Sequence, residues 1–279
     1  IKISDLLIRE ATLIEPHPTS PRLGLQRLLW QLHTKHLLHP GIPIKDGMEI
    51  ADIGAGTGIW ATELATQLPP SARVTAYDIT DTHFPAPEYW PSNLKFEKLD
   101  SLGAPSPSLV CQFDVVHLRM WAFNIRDNDP GQLIRNAAKL LKPGGYLQWE
   151  DARFGRNVVR GDAVLEVRQV MQRMSNASKH NFQWLDQLDL HVKRAEGALD
   201  VIDCQYKPWS TQSIPLCMDT FMVALESSGA ALDCLKQVDP SAPTLDEWEN
   251  ALEALHNESR HPGGSQLYWL PVTLLARKK

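Results

Sequence analysis

Residues 48–58 read Met-Glu-Ile-Ala-Asp-Ile-Gly-Ala-Gly-Thr-Gly, an apolar run that breaks into glycine at alternate positions. After Ile59-Trp60, the residues Ala61, Leu64, Ala65 and Leu68 recur at helical spacing until Pro69-Pro70 ends the pattern. The stretch therefore reads strand, tight turn, helix. Glycines at such a bend permit positive φ and let a ligand approach the backbone, while the helix start offers free N–H groups and a positive dipole end to an anion. A nicotinamide dinucleotide is one ligand for this arrangement, but its fingerprint G-x-G-x-x-G/A, counted from Gly54 and Gly56, puts its third small residue at Ile59. A branched residue does not suit that position. A turn with no ligand has no need of three alternating glycines.

Outward from the turn the alternation continues. Strands are expected over 73–78, 94–99, 113–118 and 146–150, with a helix over 130–141 that stops at Lys142-Pro143-Gly144-Gly145. Strands alternating with helices predict a doubly wound parallel α/β sheet. Before it, Leu25, Leu28, Leu29 and Leu32 mark an amphipathic helix running to Pro40-Gly41. Beyond Asp151 the period becomes helical, with Val164, Val167, Met171 and Met174 on one face. Further strands are expected at 201–206 and 267–276, separated by helices over 218–236 and 244–258. The organisation predicted is one structural domain: a helical cap over 1–44, a ligand-binding core over 45–157, and the rest of the sheet with helical lid insertions over 158–279.

Composition narrows the function. With 279 residues and 43% hydrophobic side chains, the chain can bury a sizeable core. Its formal charge of −5, with scattered basic residues, supplies no field for a phosphate backbone, so nucleic acid is not an expected substrate. The four cysteines show no C-x-x-C spacing, which argues against zinc and against a disulfide framework. No apolar run is long enough to span a bilayer, and the expected setting is cytoplasmic. His33, His36 and His39 invite a metal reading, but at intervals of three they fan around a helix, and no metal is expected.

Two acids extend the glycine turn. Asp78 ends the second strand, where a carboxylate can accept from both ribose hydroxyls, and Asp100-Ser101 ends the third, beside the position of an adenine ring. With Asp52 to Gly58, Asp78, Asp100-Ser101, Phe113-Asp114-Val115-Val116 and Lys142-Pro143-Gly144-Gly145 in this order, the chain resembles the class I S-adenosylmethionine-dependent methyltransferases. The resemblance is strongest over 45–150. Ala51 to Trp60, His117-x-Arg119 and the run LLKPGGYLQW over 140–149 look like fungal secondary-metabolism methyltransferases, including N-methyltransferases of diketopiperazine pathways and, more distantly, a methyltransferase-like regulator.

The resemblance implies a Rossmann-like seven-stranded sheet whose last strand is antiparallel, and S-adenosylmethionine as cofactor with S-adenosylhomocysteine as product. Its cofactor roles carry onto Asp52, Gly54, Gly56, Thr57, Gly58, Asp78, Ile79, Asp100, Ser101, His117 and Leu118. No Asn-Pro-Pro-Tyr-type element follows strand four, which sets the chain apart from nucleic-acid and glutamine methylation. The expected reaction is methylation of nitrogen or oxygen on a small natural product, aromatic or polycyclic. A regulatory protein keeping the fold and an enzyme that cyclises without transferring methyl are the alternatives. His117 and Glu150 are the candidate proton acceptors; Trp30, Arg119, Trp121 and Trp149 are the candidate substrate wall. Each has a plainer role available: strand-end packing for His117, core for the tryptophans, pairing with Glu150 or Asp151 for Arg119.

Overall fold

A computed structural model describes residues 19–279 except 197, 198, 260 and 262. Residues 1–18 of the expected cap lie outside the described residues. The first described helix, α1 (Thr19–Thr34), leads into β1 (Glu49–Ile53) and α2 (Ile59–Gln67). There follow β2 (Arg73–Asp78), β3 (Leu94–Lys98), β4 (Phe113–Arg119), α3 (Gly131–Leu140) and β5 (Leu141–Arg160). The remainder is α4 (Ala163–Ser178), α5 (Leu188–Arg194), β6 (Leu199–Gln205), α6 (Ile214–Ser228), α7 (Leu232–Val238), α8 (Leu245–Ser259) and β7 (Gln266–Lys278).

The seven strands form one sheet in the order β3-β2-β1-β4-β5-β7-β6, in which β7 is antiparallel to both neighbours. Alternate residues of β1 explain why it is apolar throughout: Ile50 packs with Trp60 and Leu64 of α2, while Ala51 and Ile53 pack on the opposite face with Leu133 and Ile134 of α3. Helices on both faces leave no polar side to a central parallel strand. A third apolar cluster joins Leu29 and Trp30 of α1 to Val164, Val167, Phe221, Trp248 and Trp269, and it holds the lid helices together.

Three boundaries differ from the sequence reading. The fifth strand does not end at Glu150 but runs to Arg160, because β7 continues to pair with it as far as Arg160↔Gln266, across an irregularity between Arg153 and Val158. The expected helix over 218–236 is broken at Gly229, whose surroundings are the Leu245 and Trp248 side chains. Helix α1 stops at Thr34, and Lys35 takes φ 62°. His36 and His39 therefore lie on the following loop, and His39 Nε2 is 3.3 Å from the Asp203 carboxylate. Among the described residues no three His, Cys, Asp or Glu side chains are arranged to hold a metal, and no helix is long and apolar enough to cross a membrane.

Pro271 falls within β7 yet costs the sheet little. Its β5 partner is Ala152, and on its other side the β6 pairing has already ended at Thr273.

Candidate cofactor and substrate cleft

The turn after β1 is held by the strand beside it. Gly54 and Ala55 both donate their N–H to the Tyr77 carbonyl at 2.8 and 2.9 Å, and the Gly56 N–H donates to Asp78 Oδ2 at 2.8 Å. Gly54, Gly56 and Gly58 all have positive φ, at 73°, 57° and 67°. Space also restricts two of them: a Cβ on Gly58 would stand 2.1 Å from Phe96 Cε1, and one on Gly54 would stand 2.8 Å from Trp121 Cζ2. Backbone conformation and contact thus both demand glycine here. The sequence pattern and the geometry agree.

A single cleft of about 1200 Å³ opens over the carboxyl ends of β1, β2, β3 and β4. One end is lined by Asp52, Gly54, Gly56, Thr57, Asp78, Ile79, Asp100 and Ser101, residues that the sequence singled out for a cofactor; Gly58 does not line it. Burial raises the Asp78 carboxyl against the N–H groups that favour its charge. Asp100 Oδ1 accepts from the Leu102 and Gly103 N–H groups, and Asn136 Nδ2 fixes that loop by donating to the Ser101 and Gly103 carbonyls. Leu118 is fully buried below Asp100 and Ser101.

At the cleft floor lies a buried chain of polar side chains. Asp52 Oδ1 is 2.8 Å from His117 Nδ1, His117 Nε2 is 3.7 Å from Glu150 Oε2, and Arg119 Nε donates to the same Glu150 oxygen at 2.7 Å. His117 stacks flat on Trp60 with centroids 3.7 Å apart, and it is 1% exposed. Burial pushes the Glu150 carboxyl up, but Arg119 and His117 outweigh it and hold the group at about 2. Glu150 does not line the cleft, and the expectation that it takes a substrate proton is corrected: its oxygens are committed to Arg119 and Gln148. His117 reaches the floor, but its imidazole links β1, β4 and β5. Arg119 lines the cleft while forming the carboxylate pair expected of it.

The tryptophans divide. Trp121 lines the cleft, its Nε1 donating to the Ile53 carbonyl at 3.0 Å. Trp30 and Trp149 do not line it. Trp30 is enclosed by Trp209 and Trp269, and Trp149 donates to Asp151 in the core. Asp151 also accepts from the Trp121, Ala122 and Ala152 N–H groups, which shapes the exit from β4. Burial nevertheless raises its carboxyl to about 6.

The far end of the cleft was not read from the sequence. Phe123, Phe154 and Phe182 meet ring to ring, with Phe123–Phe154 centroids 4.7 Å apart and Phe123–Phe182 centroids 4.9 Å apart. His180 stacks on Phe182, Phe221 and Trp269 close the wall beside Phe154, and Met120, Met171 and Met174 complete an apolar chamber. These residues come from loops, β5, α4, α6 and β7, so no local motif announces them.

The methyltransferase domain family matches residues 26–196, more than half of the chain. Among curated proteins, methyltransferase grgD of a Penicillium species is 32% identical over 45% of this chain and 46% of its own length. The N-methyltransferase tcpN of Claviceps purpurea is 28% identical over 48% of each. The secondary metabolism regulator LAE1 of Hypocrea atroviridis is 27% identical over 58% of this chain and 48% of its own length. The chain spans about half the length of the curated relatives it matches. Two solved structures share the fold at a TM-score of 0.53: the [4+2]-cyclase SpnF, 16% identical over 90% of this chain and 80% of its own, and phosphoethanolamine N-methyltransferase 2 of Haemonchus contortus with S-adenosylhomocysteine, 14% identical over 90% and 52%. With the glycine turn, the acids at the ends of β2 and β3 and the 3-2-1-4-5-7-6 sheet in place, the chain belongs to the methyltransferase domain family in its S-adenosylmethionine-dependent class I form.

Proposed function

We propose that this chain binds S-adenosylmethionine on the 52–58 turn and transfers its methyl group to a small apolar-ringed acceptor held in the Phe123–Phe154–Phe182 chamber. The observation that carries this reading is the continuity of one cleft from the glycine turn to that chamber. Its volume of about 1200 Å³ exceeds the range of roughly 300–1,000 Å³ usual for one ligand, and it suits two placed end to end.

The cofactor supplies a methyl group already activated on a sulfonium, so the protein's work is alignment and exclusion of water. Asp78 accepts from the ribose hydroxyls while its other interaction, with the Gly56 N–H, keeps the turn closed. Asp100 and Ser101 border the adenine. Helices α4, α6 and α7 line the chamber through Met171, Met174, Leu225 and Leu235. The buried chain through His117 and Glu150 holds the floor rigid. Glu150 is spent on Arg119 and Gln148, and His117 gives Nδ1 to Asp52 while its Nε2 is enclosed without a hydrogen-bond partner, so the acceptor best served is an amine nitrogen, whose lone pair attacks directly and whose proton leaves to water, or an oxygen already ionised in solution. The N-methyltransferases among the relatives support the nitrogen.

Incubation with methyl-labelled S-adenosylmethionine and a panel of aromatic amines, phenols and neutral hydroxyl compounds tests the reading. Label should pass to the amine with a gain of one methyl in product mass. Transfer to the neutral hydroxyls alone contradicts the proposed acceptor, and an isomer of unchanged mass contradicts methyl transfer.

A further inference from the structure

Two contacts fix how α1 lies on the glycine turn. Leu23 Cδ1 is 3.4 Å from where a Cβ on Gly56 would stand, and Arg27 is ion-paired with Glu63 in the first turns of α2. Residue 23 thus sits at the turn and residue 27 is tied to α2. The residues next to Leu23 are thereby placed over the amino-terminal end of α2. That end begins at Gly58, which offers no side-chain acceptor to the first-turn N–H groups, so the positive end of the helix faces the cleft uncapped.

Arg22 and Gln26 lie one turn apart on the face of α1 that borders the cleft. Gln26 is only 7% exposed, and the Arg22 Nε is enclosed without a hydrogen-bond partner. Neither side chain has a hydrogen bond or ion pair among the described residues, whereas Arg27 is committed to Glu63 and to Gln31 Oε1. Burial pulls the Arg22 guanidinium down from its ordinary value. The enclosed Arg22 Nε is costly unless a ligand supplies an acceptor. A carboxylate fits them: the guanidinium fork matches its two oxygens, the Gln26 amide adds a donor, and the N–H groups of α2 complete the set.

We infer that Arg22 and Gln26 form a carboxylate clamp, which holds the amino-acid end of the cofactor against the 52–58 turn and couples helix α1 to cofactor binding. The helix that covers the cleft is then also part of the cofactor site. The inference rests on the S-adenosylmethionine reading given above.

Calorimetry on wild type, R22M and Q26A, with S-adenosylhomocysteine and with 5′-methylthioadenosine, tests it. The second probe keeps the adenosine and the sulfur but lacks the amino-acid end. R22M should lose about 30-fold in affinity for S-adenosylhomocysteine and Q26A about fivefold, through lost charge-assisted and neutral hydrogen bonds respectively. Both should bind 5′-methylthioadenosine as wild type does, which also shows that they are folded. Hydrogen exchange of the α1 amides should slow with S-adenosylhomocysteine and not with 5′-methylthioadenosine. Wild-type affinity of R22M for S-adenosylhomocysteine, or an equal loss for both probes, overturns the clamp. A wild-type protein that binds neither probe overturns the cofactor reading itself, a different result from a clamp that fails in a protein binding both.

Discussion

The two ends of the cleft are built on different principles. At the end proposed for the cofactor, short parallel strands buried on both faces present backbone, and the residue types are dictated by conformation: three glycines at positive φ, two of them facing an aromatic ring. At the end proposed for the acceptor, the long antiparallel pair of β5 and β7 and the helices above it present side chains instead, and Phe123, Phe154 and Phe182 meet from three separate segments. Backbone recognition tolerates little substitution. Side-chain recognition can be re-cut without disturbing the fold.

Substituting one glycine at each end gives the sharpest contrast. Gly58→Val forces a β-branched residue into φ 67° and into the Phe96 ring, and it should cost about 3–4 kcal/mol of stability together with cofactor binding. Gly155 borders the acceptor end, where an added Cβ meets nothing nearer than 3.8 Å, so Gly155→Ala should stay within about 0.5 kcal/mol of wild type. Urea denaturation of both variants makes the comparison, and equal losses would break it.

The floor joining the two ends comes next in size. Glu150→Gln leaves the Arg119 guanidinium without its carboxylate in a buried setting and should cost about 3 kcal/mol at neutral pH. Its pH dependence has a definite sign. The folded-state Glu150 value of about 2 lies below the unfolded value of about 4.3, so its stabilisation is complete above the unfolded value and fades as pH falls toward 2. Wild type should therefore lose stability between pH 5 and pH 3 more steeply than Glu150→Gln, at about the same ionic strength. Parallel pH profiles would show that the pair contributes nothing.

Smaller effects separate the two ligands. Phe182→Ala removes one face of the chamber and should raise the acceptor KM about tenfold, or about 1.4 kcal/mol, while leaving S-adenosylhomocysteine affinity unchanged. Steady-state kinetics beside calorimetry reads both. A loss of cofactor affinity in this variant would mean that the two ends are not independent.

The same contrast explains what the sequence disclosed. The placement of the turn from Asp52 to Gly58 and of the acids Asp78 and Asp100 was legible because it is local: they stand at strand ends in one repeating pattern. The length of β5 was not legible, because Lys142-Pro143-Gly144-Gly145 marks where that strand starts, whereas its extension to Arg160 depends on β7, more than a hundred residues later. Trp30 and Trp149 were expected at the substrate because tryptophan suits a planar ligand, but both lie in the core; the exposed ring at the chamber is Phe123, in a short loop without periodicity. Glu150 was expected to be a base from its place at a strand end, and only the position of Arg119 on the neighbouring strand shows it to be spent. Arg22 sits in a proline-rich stretch before the first regular apolar spacing, and its importance emerges only from where Leu23 and Arg27 dock.

On the proposed function, the turn and Asp78 hold S-adenosylmethionine. Titrating wild type and Asp78→Ala with S-adenosylmethionine in a calorimeter tests it most directly. Wild type should bind at one site with sub-millimolar affinity, weakened by roughly 1–3 kcal/mol in Asp78→Ala through lost ribose hydrogen bonds. Absence of binding to wild type, or equal affinity in the two proteins, would contradict it.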